Sequence, residues 1–216
     1  MKPQESSFDI NCQRCPRLSQ FLSEVRQEYP DYYGRPVPPF GVKQPELLVV
    51  GLAPGMHGAN ATGRPFTGDY AGILLYETLH KFGFSNKPVS ESVDDGLKLK
   101  NCRITNAVKC LPPQNKPTTE EVNICNELLR DELQALKKVK VILVLGLVAH
   151  KAVLKACDVK IKDYKFGHGA CAQLPDGRWL LSSYHCSKYN TSTKRLTESM
   201  FHDVFAQAQK LLRKKA

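Results

Sequence analysis

The stretch LLVVGLAPGMHGANATGRPFTGDYAG, from Leu47 to Gly72, decides the fold of this 216-residue chain. Leu47 to Val50 form a short apolar run that suits a strand covered on both faces. Gly51 ends the run, a turn rich in glycine and small residues follows, and an amphipathic segment opens near Tyr70. Strand, glycine turn and helix in that order are the unit of a parallel α/β sheet. Such sheets keep their ligands at the carboxyl ends of the strands, where this turn must lie.

Outward from this unit the pattern repeats. Runs rich in Val, Ile and Leu predict strands over 47–51, 103–108, 141–146 and 179–184. Helical periodicity predicts helices over 18–29, 70–82, 118–138, 147–156 and 194–213. The first places Leu18, Phe21, Leu22 and Val25 on one face, and the second turns Ile73, Leu74 and Leu79 inward. The third opens on Thr118-Thr119-Glu120-Glu121, a cap with acidic first-turn residues. The expected architecture is α/β: a three-layer sandwich with a central, mostly parallel four-stranded sheet and helices on both faces. The stretches 29–45 and 84–98 read as surface loops, which leaves one domain over 1–216.

The bulk composition narrows the partners. A net charge of +10 and a pI near 9.2 favour an anionic partner, nucleic acid first, although solubility alone also accounts for them. The beginning, MKPQESSFDINCQRC, has no apolar signal region, and the longest apolar run, 141–149, is too short for a bilayer. A cytoplasmic protein without membrane contact is expected. Eight cysteines in that reducing setting point to metal ligation rather than disulfides.

Cys12 and Cys15 form a C-x-x-C followed by proline, a pattern found at zinc and iron–sulfur sites alike. Cys110 follows a predicted strand, and Cys125 sits on the helix after it. These four can close a four-thiolate site of either kind, or Cys110 and Cys125 are small buried residues. Cys102, Cys157 and Cys171 read as structural or incidental.

Three predicted strand ends carry polar residues that can converge at one sheet edge. His57, Asn60, Phe66 and Asp69 follow the first strand, and Asn106 lies on the second. The sequence SSYHCSKYN, with His185, Ser187 and Asn190, follows the fourth. A lone strand asparagine or histidine is usually structural; three such features at equivalent ends describe a site.

With these motifs in order, the chain resembles the iron–sulfur uracil-DNA glycosylases, most closely their family 5 branch. The resemblance rests on CQRCPRL, GLAPGMHGANATGRPFTGD, TNAVKCLPP with a cysteine fifteen positions later, and H-x-S-x-x-N followed by T-x-R-L-T-E. It covers nearly the whole chain. It implies a structural [4Fe-4S] cluster on Cys12, Cys15, Cys110 and Cys125, held by an N-terminal cluster-binding segment. It further implies that Phe66 stacks on an extruded base, Asn106 reads its pairing edge and His185 stabilises the departing uracil anion.

The chemistry asks for those residue types. A glycosylase takes its base out of the stack, and an aromatic face can hold it for roughly 1–3 kcal/mol. An amide can donate to O4 and accept from N3–H of uracil, whereas cytosine presents the opposite arrangement. A donor beside the developing anion acts as oxyanion holes do. No lysine or amino-terminal proline nucleophile is evident, so a monofunctional enzyme is expected that leaves an abasic site.

Many uracil glycosylases carry a water-activating polar residue soon after the Ala-Pro of the first motif. Here Ala53-Pro54 leads into Gly55, Met56 and His57, which is typical of the family 5 branch. Asp69 is the first candidate to guide the water, with His57 and Asn60 behind it, and Asp69 also suits a helix cap at Tyr70. Cys186 stands where the family usually has proline. The small residues Gly51 and Ala53, with His57 and Asn60, suggest a tolerant pocket, and relatives of this branch accept hydroxymethyluracil and hypoxanthine.

The expected substrate is therefore DNA containing uracil or other deaminated bases. Ser187, Lys188, Lys194 and Arg195 are candidates to hold phosphates, Asn190 lies beside them, and Tyr189 is a candidate wedge for the gap left by a flipped base. The alternatives are a non-catalytic iron–sulfur or zinc nucleic-acid-binding module and a small electron-transfer protein. A prokaryotic, DNA-associated monomer is expected, and a sliding-clamp contact is not readable from the residues.

Overall fold

The computed structural model describes residues 8–214. Among these described residues, six strands form one sheet: β1 (Phe40–Gly41), β2 (Leu47–Gly51), β3 (Cys102–Asn106), β4 (Val141–Leu145), β5 (Cys171–Gln173) and β6 (Trp179–Ser183). Their order is β1-β3-β2-β4-β6-β5. The four strands expected from sequence are the inner four, mutually parallel. The sheet has six strands rather than four because β1 and β5 add antiparallel edges. Neither has an apolar run: β1 is two residues long, and β5 is mostly exposed. The segment 29–45, expected to be a surface loop, thus contains β1, and it buries Val37.

β2 lies at the centre with all five residues buried, as its unbroken apolar run requires. Its alternating side chains feed two cores. Leu47 and Val49 face α3 (Tyr70–Lys81) and α7 (Glu198–Arg213); Leu48 and Val50 face α4 (Thr119–Ala135) and α5 (Leu147–Ala156). A third cluster packs α1 (Pro16–Glu28) against α4 through Leu18, Leu22, Val25, Cys125 and Leu128. Each such buried aliphatic contributes about 1.5–3 kcal/mol.

Two helix expectations change. Ile73, expected to face inward, is 57% exposed, and Leu75 and Tyr76 fill that space. The expected helix over 194–213 begins only at Glu198, because Lys194 adopts a left-handed φ of 57° that ends the short α6 (Lys188–Ser192) before it. The helix predicted from residue 118 is closed as its sequence suggests, by a capping box between Thr118 and Glu121. Among the described residues, no helix is long and apolar enough to cross a membrane.

Candidate active site

The parallel register sets Gly51, the last residue of β2, beside Asn106, the last of β3. A Cβ on Gly51 would lie 2.5 Å from Asn106 Oδ1 and 2.6 Å from Phe66 Cζ. The glycine thus lets an amide and a ring meet over its backbone. Phe66 is held in a left-handed conformation, φ 56°. Its ring stacks against His185, with centroids 5.9 Å apart and planes at 27°. His185 follows β6, so the turn after β2 and the ends of β3 and β6 meet at one sheet edge.

Two properties of this cluster are chemical. Asn106 Oδ1 is buried without a hydrogen-bond partner among the described residues. An orphaned buried acceptor of this kind costs about 1–3 kcal/mol and is filled when a donor enters. Burial pushes the His185 imidazole down to about 4, so the ring is neutral at physiological pH. The carbonyl of His185 accepts from Asn190 Nδ2 at 2.8 Å, and Ser187 caps α6 by accepting from the Asn190 amide.

Asp69 is the N-cap of α3, its Oδ1 accepting from the Gly72 amide at 2.9 Å. Its second oxygen faces Gly55 and Gly58; Cβ atoms there would lie 3.6 Å and 2.8 Å from Oδ2. Burial raises its carboxyl above the ordinary value, against the pull of the Gly72 and Ala71 amides. Its charge also helps raise the Cys186 thiol, behind the larger effect of burial, which places the carboxylate near the end of β6.

The remaining candidates lie further out. His57 is exposed, with Nδ1 paired to the Tyr32 hydroxyl at 2.8 Å and its ring edge-on to Tyr29. Asn60 is fully buried on α2 (Ala59–Thr62), where its amide Nδ2 reaches the Met56 carbonyl at 3.5 Å and Oδ1 has no partner among the described residues. Ala53 packs toward the α1 core. Tyr189 is 71% exposed, Lys188 and Lys194 are exposed, and the exposed Arg195 lies over the Tyr184 ring at 4.8 Å.

Cys12, Cys15, Cys110 and Cys125 line a single cavity with Leu18, Val108 and Leu128. Burial first, then Cys125, Glu121 and Cys12, push the Cys15 thiol up to about 11. Cys110 is raised by burial and then by Cys125, Cys12 and Cys15. Sulfurs close enough to oppose the ionisation of Cys15 and Cys110 fit a thiophilic metal centre, whose positive charge would reverse that penalty. The Lys109 amide donates to Cys125 Sγ at 3.3 Å. Arg17 pairs with Glu121 at 2.7 Å and ties the start of α1 to α4.

Sequence reasoning missed the polar supports. Lys109, 2% exposed, donates to Thr105 Oγ1 and to Glu132 Oε2, while Arg103 Nε donates to Glu132 Oε1 at 3.0 Å. Against its burial, the charges of Lys109 and Arg103 hold the Glu132 carboxyl below its ordinary value. A charged residue between a strand and a cysteine was the available signal for Lys109; nothing local marks Glu132 as its partner.

Residues 38–209 match the family model described as the uracil DNA glycosylase superfamily. A type-5 uracil-DNA glycosylase of Thermus thermophilus is 46% identical over 207 residues, covering 93% of both chains. One from Pyrobaculum aerophilum is 44% identical, covering 92% of this chain and 88% of its own. In fold, the chain is similar to the crystal structure of SMUG2 from Pedobacter heparinus, with a TM-score of 0.51 at 16% identity over 91% of this chain and 85% of that one. The chain belongs to the uracil DNA glycosylase superfamily, alongside the type-5 uracil-DNA glycosylases.

Proposed function

We propose that this protein is a DNA-repair glycosylase that hydrolyses the N-glycosidic bond of uracil, and of other deaminated bases, and leaves an abasic site. The observation that carries this reading is the buried, unpartnered Oδ1 of Asn106 beside Phe66 and His185. The N3–H of an extruded uracil supplies the missing donor, while cytosine presents a lone pair there. Phe66 offers the ring face against which the base stacks. A non-catalytic binding module would leave this convergence without a purpose.

As the bond from N1 to C1′ breaks, negative charge gathers on uracil O2 and N1 and positive character on the sugar. The neutral imidazole of His185 donates toward O2 and stabilises the leaving anion without first losing a proton to solvent. Asp69 serves two ends: Oδ1 caps α3, and Oδ2 takes the proton of the water whose oxygen bonds to C1′. Its raised affinity for protons suits that role. Gly51 and Ala53, both small, leave room for bases larger than uracil.

Cys12, Cys15, Cys110 and Cys125 would hold a [4Fe-4S] cluster, whose contribution is structural: it joins the segment before α1 to α4 and to the chain after β3. Lys188, Lys194 and Arg195 meet phosphates, and the exposed Tyr189 fills the gap in the duplex. Ser187 and Asn190 shape the His185 loop from within.

The test is incubation of purified protein with labelled duplexes carrying uracil, hypoxanthine or thymine opposite guanine, followed by alkali. Alkali-dependent breaks at uracil and hypoxanthine, without a borohydride-trapped adduct, are expected. A trapped covalent adduct would overturn the monofunctional mechanism, and cleavage at uracil alone would overturn the broad base range.

A further inference from the structure

Phe66 is a bulky residue in a left-handed backbone, a conformation that costs on the order of 1–3 kcal/mol and persists only where the surroundings enforce it. Its flanks are tied down on both sides. The Phe66 carbonyl oxygen sits 1.7 Å from where a Cβ on Gly72 would stand, so the helix admits it only at a glycine. The Pro65 carbonyl accepts from the Tyr76 hydroxyl at 2.7 Å. Thr67 Oγ1 meets Ser90 Oγ at 2.7 Å.

The strongest tie is Arg64, two residues before the ring. It is 3% exposed and lies over the Phe40 ring at 4.5 Å. Its guanidinium donates to both carboxylate oxygens of Asp95 and to Ser90 Oγ at 2.9 Å, and to the Val93 carbonyl at 2.7 Å. Asp95 in turn accepts from the amides of Glu91, Ser92 and Leu97. The loop over 90–97, featureless in sequence, is therefore wound around one carboxylate and pinned to Arg64. Against burial, the Leu97 and Glu91 amides and the Arg64 guanidinium hold the Asp95 carboxyl at about 2, so the pair stays charged at any working pH.

We propose that Arg64 is a positioning residue for the base platform: locked to the loop wound around Asp95, it holds Phe66 in the left-handed turn that sets its ring beside Gly51 and His185. The inference rests on the reading of Phe66 as the stacking face. The protein then meets an extruded base with a prebuilt surface, and the cost of the strained turn is borne in folding rather than at each binding event.

A double-mutant cycle tests this, with Arg64→Lys, Phe66→Ala and the combination measured by kcat/KM on uracil-containing duplex. Arg64→Lys keeps the charge and loses the forked geometry. It is expected to lower kcat/KM on the order of tenfold to a hundredfold, the scale of a misplaced binding group. In the Phe66→Ala background the same change is expected to cost less than about twofold, because the group it positions is gone. Equal losses in both backgrounds would overturn the positioning role while leaving Phe66 as the platform. If Phe66→Ala alone works at the wild-type rate, the platform reading falls, and the positioning role with it. Should Arg64→Lys fail to fold, Asp95→Asn replaces it in the same cycle, with the same two outcomes.

Discussion

The rings of Phe66 and His185 lie 5.9 Å apart and nearly parallel, although one follows β2, the other follows β6, and β4 runs between those strands. Gly146, at the end of β4, lies beside that approach, where a Cβ would stand in ordinary contact 3.5 Å from His185 Cβ. It is the φ of 96° that keeps this position for glycine. The candidate site is thus assembled by strand ends that the sheet order sets side by side.

Gly51 is the tightest point of that assembly. Gly51→Ala would drive a methyl into Asn106 Oδ1 and the Phe66 ring edge. A cost of about 1–3 kcal/mol in urea unfolding is expected, with a loss on the order of a hundredfold in single-turnover excision as both groups shift. Excision at the wild-type rate would contradict the geometry.

The pH dependence separates His185 from Asp69. The folded His185 value, about 4, lies below the ordinary 6.5, so the unfolded chain takes up the proton first. Its contribution to stability is therefore full above pH 6.5 and is lost as pH falls toward 4. Urea titrations across this window are expected to show a shallower decline in His185→Asn. Asp69 has the opposite sign: its folded value is raised above 3.8, so its charge weighs on the fold at neutral pH and that penalty eases on acidification. In single-turnover rate profiles, the acid limb is expected above 3.8 and absent from the residual activity of Asp69→Asn.

Glu132 holds the buried polar support of β3 together. Glu132→Gln leaves Lys109 and Arg103 without their counter-charge. Breaking a buried pair in this way costs about 3–5 kcal/mol, and urea unfolding is the measurement. A loss below about 1 kcal/mol would show that water reaches those cations.

The cysteines divide by place. Cys125→Ser is expected to lower both the iron content of the purified protein and its melting temperature, since Cys125 shares a cavity with Cys12, Cys15 and Cys110. Cys171→Ser, at an exposed position of β5, is expected to change neither. Iron analysis and thermal melts read both outcomes, and unchanged iron in Cys125→Ser would remove it from the ligand set.

The inner sheet was legible because its strands are buried on both faces and write themselves as apolar runs: β2 occupies the predicted residues 47–51. The edges were not, since β1 pairs through two residues and β5 carries no apolar run. Ile73 satisfied a helical stripe in sequence, yet the sheet buries the neighbouring face through Leu75 and Tyr76. At the candidate site, parallel strands set equivalent ends together, which pointed to His57, Asn60, Phe66, Asp69, Asn106 and His185 alike; Phe66, Asn106 and His185 were singled out by the family resemblance. What fixes them was not legible. Arg64 finds Asp95 across a loop, and Lys109, after β3, finds Glu132 on α4, by long-range pairing that leaves no local pattern.

In the proposed function, the unpartnered oxygen of Asn106 reads the N3–H of uracil. The most direct measurement compares single-turnover excision of uracil and of 3-methyluracil from the same duplex, by the wild type and by Asn106→Ala. The wild type is expected to discriminate against the methylated base by about 10⁴-fold, as sites built to pair a donor do. Asn106→Ala is expected to lose most of its activity on uracil along with the discrimination. Undiminished uracil excision by Asn106→Ala, with the preference intact, would contradict this reading of Asn106.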